Sequence, residues 1–128
     1  MKKADIDLFE KLISQLKSLH SELTLLAKKA PNDAVNQFKL KFVNSTLEHC
    51  NKFFGVKNRP FSDFETFSME EMPSNSDVTF IVSQYIECAE KFRADNVRNY
   101  SGRWYWRLDG EDQNKPTIQT GPPKKLGK

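Results

Sequence analysis

The chain has 128 residues, 38% hydrophobic and 29% charged, a formal net charge of +3 and two cysteines. That length fits one domain able to bury roughly two-thirds of its unfolded surface, and two cysteines outside any CxxC pair exclude a disulfide framework. No stretch approaches the roughly 18 apolar residues of a membrane span, and Asp5, Asp7, Glu10 and Lys11 interrupt the start before a signal-peptide apolar run forms, which predicts a mature chain that begins at Met1, stays in the cytoplasm and enters no membrane.

From Asp5 to Leu26, the residues Phe9, Leu12, Leu16, Leu19, Leu23 and Leu26 recur in steps of three and four, the spacing of one apolar stripe on a helix. Asp7 followed by Glu10 reads as a start signal, and Lys28 and Lys29 complement the last carbonyls. Such a stripe suits a coiled-coil seam between chains or one face of an intrachain bundle. More apolar helices follow and need a packing surface, which favours the bundle.

Pro31 ends the first helix and suits the first turn of a second, predicted to run to about Phe54 with Gly55 as its stop. Its apolar face is expected to be Val35, Phe38, Phe42, Val43, Leu47, Cys50 and Phe54, packed as an antiparallel hairpin on the first helix. The segment 55–77 is too long and too aromatic for an idle loop. Ser62 with Glu65 forms a capping-box pattern, which predicts a short helix from Asp63 to about Glu71, with Phe61, Phe64, Phe67 and Met72 closing one end of the core. An exposed partner-binding edge is the alternative use of those side chains.

Val78, Val82, Tyr85, Ala89 and Phe92 then predict a third long helix, ending near Tyr100 to Gly102. Beyond it the period changes to two: Trp104, Trp106 and Leu108 face one side of a strand, and Arg103, Tyr105 and Arg107 face the other. Asp109-Gly110 signals a turn and "PTIQT" supplies the return strand. The expected fold is mainly α: an antiparallel bundle of three long helices plus a short helix, with a C-terminal two-stranded β-hairpin over residues 103–120. Residues 1–120 form one domain in this reading, and 121–128 a flexible basic tail.

Charge is distributed in blocks. Residues 1–60 carry 11 basic and 6 acidic side chains, residues 61–90 carry 7 acidic and no basic ones, and residues 91–128 carry 9 basic and 4 acidic. Opposite blocks on neighbouring elements neutralise one another on a bundle surface, so the overall sign does not name a partner.

Catalytic chemistry finds little support. The only imidazoles are His20 and His49, and an antiparallel pairing of the first two helices leaves them roughly 10 Å apart along the bundle, too far to share a proton or a metal. His49, Cys50, Glu87 and Cys88 are zinc-ligand types, but adjacent helical residues point about 100° apart, and buried thiols are the expectation for both cysteines. The carboxylate pairs Glu70-Glu71 and Glu87/Glu90 read as solvated surface, lacking the apolar pocket that acid–base work requires. Neither GxGxxG, P-loop nor HExxH occurs. No enzyme activity, cofactor or metal is expected.

The stretch 103–107 is the strongest binding signal. A lone hairpin is marginal in water, so its tryptophans must pack on the helices or on another chain, and Trp, Tyr and Arg are the types enriched at interface hot spots. The expected role is a non-enzymatic protein interaction or regulatory module contacting a protein partner, or a second copy of itself, through Arg103, Trp104, Tyr105, Trp106 and Arg107. A nucleic-acid accessory role is the alternative, with Arg103, Tyr105, Arg107, Lys124 and Lys125 pairing with phosphates and a ring stacking on a base. A third reading joins the acidic middle block to its aromatics as a cage for a cationic small molecule.

Overall fold

The computed structural model describes residues 1–123. Its elements in chain order are α1 (Lys3–Lys29), α2 (Gln37–Asn58), a single 3₁₀ turn (Met69–Glu71), α3 (Asn75–Asp95), β1 (Val97–Tyr100), β2 (Arg103–Trp106) and β3 (Gln119–Thr120). The molecule is mainly helical with a small antiparallel sheet at the C-terminal end, in the order β1-β2-β3. Among the described residues no helix is long and apolar enough to cross a membrane.

Each long helix begins where a side chain or neighbour satisfies its free N–H groups. The Lys2 amide donates to the Asp5 carboxylate, Asn36 Oδ1 accepts from Lys39 N, and Ser74 Oγ accepts from Asp77 N. The cap at Asn36 starts α2 six residues later than Pro31 suggests. Residues 31–35 instead pair with the start of α3, through Ser76 N to Pro31 O, Asn75 N to Asp33 O and Val35 N to Pro73 O. Gly55, at φ 75 and ψ 175, breaks the regular helix as expected, but one further turn follows it to Asn58.

The α1 stripe is buried largely as its period predicts, with Phe9, Leu12, Leu16 and Leu23 fully enclosed and Leu19 and Leu26 packed at the margin. On α2 the buried face differs from the expected one. Leu40, Val43, Leu47, Cys50 and Phe54, an unbroken three-four repeat, face inward, whereas Phe38 is 72% exposed and Phe42 50% exposed. Those two rings lie on the adjacent stripe and pack edge-on against each other at 5.0 Å. Val78, Val82, Tyr85 and Ala89 of α3 complete the core.

The bundle is not uniformly antiparallel. Ion pairs Lys39–Glu22 and Lys17–Glu90 set α1 against both other helices head to tail, while Tyr85 meets Asn51 and Cys88 meets Asn58, so α2 and α3 run parallel. A parallel pair needs a connection that returns the length of α2, which is what residues 59–74 do. The helix expected over Asp63–Glu71 is therefore a mostly extended strap with only the 3₁₀ turn at its end. Ser62 and Glu65 make no capping box there: Ser62 O accepts from Arg59, and Glu65 O accepts from Asn51.

The third helix also stops earlier than its apolar pattern suggests. It ends at Asp95, and Val97–Tyr100 turns back as a strand pairing with Arg103–Trp106. The turn between them is Ser101-Gly102, with φ of 52 and 81, the two positive values that a tight two-residue hairpin requires. The expected two-stranded hairpin is thus a three-stranded sheet. The predicted return strand survives as Gln119–Thr120, opposite Tyr105 and Trp104, after a longer connection in which Asp109-Gly110 forms a turn.

Candidate functional site

The alternation in β2 assigns its side chains to two faces. Trp106 is 1% exposed, edge-on to Phe9 at 5.3 Å, and Val97 opposite it is equally enclosed. Trp104 packs half-buried against the same core, as does Leu108. These are the anchors. Trp106 is thereby a core residue, not a contact available to a partner.

The outer face carries Arg103, Tyr105 and Arg107, as expected, and two residues that the helical reading of 97–100 had hidden. Register places Arg98 opposite Tyr105 and Tyr100 opposite Arg103. Both therefore join the same face. The rings of Tyr100 and Tyr105 meet edge-on at 6.5 Å, and the Arg98 guanidinium lies 5.6 Å from the Tyr100 centroid. Arg98 also donates to the Gln113 carbonyl, and Arg107 Nε donates to Val97 O at 3.2 Å. Two of the three arginines are thus held in place, while Arg103 extends into solvent. The signal for Arg98 and Tyr100 was present in the sequence as Ser-Gly between two alternating runs.

Hydrogen bonds tie the platform to the helical part at three points. Arg107 N donates to Asn96 O, and Asp109 N to Met1 O, while Met1's ammonium pairs with Asp109 at 2.8 Å and holds its carboxyl below the usual range. Arg93 of α3 donates to Gly121 O and Pro122 O, and lies 3.3 Å from Glu90, which Lys17 also approaches at 3.4 Å. Glu90 is buried in this cluster, not solvated as its spacing suggested; Glu70, Glu71 and Glu87 are exposed. Lys124 and Lys125 lie outside the described residues.

No protein-family model, curated protein or solved structure matches the chain.

The other candidate groups do not converge. His49 lines a cavity of about 560 Å³ with Asp5, Leu8, Lys52 and Phe53, whereas His20 lines a separate one with Ser83 and Glu87. Burial pushes the Cys50 thiol up to about 12, with Cys88 adding to the effect, and burial pushes the Cys88 thiol up to about 11. Cys88 Sγ donates to Asn58 O. Protonated thiols of this kind are poor nucleophiles and poor metal ligands at neutral pH. Among the described residues, no three His, Cys, Asp or Glu side chains gather as a metal site.

One constellation was not foreseen. Asn44 and Asn51, seven residues apart on one face of α2, bond the backbone of the strap. Asn44 Nδ2 donates to Phe67 O and its Oδ1 accepts from Phe67 N, both at 2.9 Å; Asn51 Nδ2 donates to Glu65 O at 2.9 Å. Tyr85 of α3 donates to Asn51 Oδ1 at 2.6 Å, and its phenol, chiefly through burial, is pushed up to about 12. The arrangement fixes residues 65–67 against α2 without any strand ladder.

Proposed function

We propose that this chain is a non-enzymatic interaction or regulatory module that holds an acidic surface of a different protein on the outer face of its C-terminal sheet. The observation that carries this reading is the set Arg98, Tyr100, Arg103, Tyr105 and Arg107 on one face, three cations and two rings with no carboxylate among the paired strand residues. Guanidinium forks pair with carboxylates two bonds at a time, and rings with few rotatable bonds bury area at small entropic cost. Trp106 and Trp104 contribute by fixing the platform from beneath. A second copy of the chain is a poorer occupant face to face, because like charges would then lie opposite each other.

Single-stranded nucleic acid is the second reading, favoured by the Tyr100–Tyr105 pair on adjacent strands, since neighbouring rings beside arginines can stack successive bases. Labelled single-stranded RNA and DNA, titrated beside an acidic peptide at several salt concentrations, separate the two. The protein reading predicts saturable binding of the peptide that Tyr105→Ala and Arg103→Ala weaken by about tenfold or more. Oligonucleotide binding with a steep salt slope, lowered by the arginine variant, would move the assignment to nucleic acid. Light scattering tests the choice of a different protein: a stable dimer lost on Tyr105→Ala would make the partner a second copy.

A further inference from the structure

Between the strap and the start of α3 lies a cavity of about 370 Å³, lined by Phe64, Phe67, Glu71, Pro73 and Asp77 among others. Its size falls in the range of small-ligand sites. The rings of Phe64 and Phe67, both lining the cavity, are 5.0 Å apart and steeply inclined to each other at 68°. Phe61 stands perpendicular to Phe64 in turn, at 6.3 Å. Glu71 and Asp77 supply negative charge at the rim, and neither pairs with a Lys or Arg among the described residues. The chain from 61 to 90 contains no Lys or Arg at all. Among the described residues, none that lines the cavity is basic.

We propose that this cavity is a binding site for a compact organic cation of the alkylated ammonium class, free or carried on a methylated lysine side chain. A ring face is attracted to a cation through its quadrupole, and methylated ammonium groups fit because their charge is spread over an apolar surface that needs little hydration. The two carboxylates add long-range attraction that falls with salt. Preorganisation is supplied by Asn44 and Asn51, whose bonds to the backbone at Phe67 and Glu65 hold the ring-bearing segment before any ligand arrives. The cavity shares no lining residue with the sheet face.

The test is an NMR titration of the full chain with choline, with tetramethylammonium, with a peptide bearing trimethyllysine, and with 3,3-dimethylbutan-1-ol, the uncharged isostere of choline. Saturable amide shifts confined to residues 64–77 are expected for the cations, with the alcohol about tenfold weaker or worse. Glu71→Gln and Asp77→Asn, both on exposed residues, should each weaken cation binding several-fold while leaving helicity unchanged, and Phe67→Leu should weaken it by about tenfold. Binding of the peptide alone would assign the site to a modified protein; binding of choline or tetramethylammonium would assign it to a free ligand. Equal affinity for the alcohol, shifts centred elsewhere, or no saturable shift with any of the three cations would overturn the proposal.

Discussion

The strap of residues 59–74 and the C-terminal sheet both pack against the helical core without belonging to its period, and they are attached by opposite means. The sheet carries its own backbone ladder and is locked on by a large aromatic, Trp106, driven into the core beside Phe9. Apart from a single bridge between Ser74 and Ala34 at its end, the strap is held by helix side chains, Asn44 and Asn51, that bond its backbone amides. Their surfaces are opposite too: arginines and tyrosines on the sheet, carboxylates and phenylalanines at the strap. The self-paired strands turn their outer side chains to the surface, two of the arginines held in place there, whereas a concave gap lies between the strap and the start of α3.

The largest expected effect tests the wedge. Trp106→Ala should lower stability by about 3–5 kcal/mol in urea denaturation, because it empties a fully enclosed site. A loss below about 0.5 kcal/mol would put the sheet outside the cooperative core. Next comes the strap: Asn44→Ala removes both bonds to Phe67 and should cost about 1–3 kcal/mol, with the Phe67 amide losing protection from hydrogen exchange. Unchanged protection would mean the strap is held by its phenylalanines alone.

Alkali should lower stability through the groups buried between α2 and α3. The Cys50 and Cys88 thiols and the Tyr85 phenol stay protonated in the fold to about 12, 11 and 12, against 9.0 and 10.0 for ordinary thiols and phenols. From about pH 9 upward the unfolded chain therefore binds fewer protons than the folded one, so stability falls as pH rises. Denaturation midpoints at pH 8, 9 and 10 should decline, and the decline should flatten in Cys50→Ala. The smallest effect belongs to Asp109, whose carboxyl the N-terminal ammonium holds below 3.8. Its contribution is present above that pH and lost as pH falls further, and Asp109→Asn should change stability little and only at low salt.

Helix α1 and the inner face of α3 were legible because a three-four apolar repeat has one economical burial. The sheet's anchors and presenters in β2 were legible for the same reason at period two. What sequence periodicity hid was decided by competing local signals. Val97–Tyr100 continues a helical run on paper, yet Ser101-Gly102 closes a hairpin and draws it into the sheet, adding Arg98 and Tyr100 to the site. Phe38 and Phe42 follow Val35 at helical spacing and read as the apolar face, but the unbroken Leu40-Val43-Leu47 repeat took the inward stripe. The strap resembled a capped helix until the parallel setting of α2 and α3 required an extended return, and asparagines, normally read as surface residues, supplied its attachment.

The outer sheet face is the proposed contact surface, and co-purification from the native host with the tagged protein tests that role most directly. The wild-type chain should recover a protein with an acidic contact surface, lost with the Arg103→Ala, Tyr105→Ala double variant and kept with Lys41→Ala on α2, all three chains showing the same circular dichroism. Undiminished recovery of that partner by the folded double variant would contradict the assignment of the sheet face.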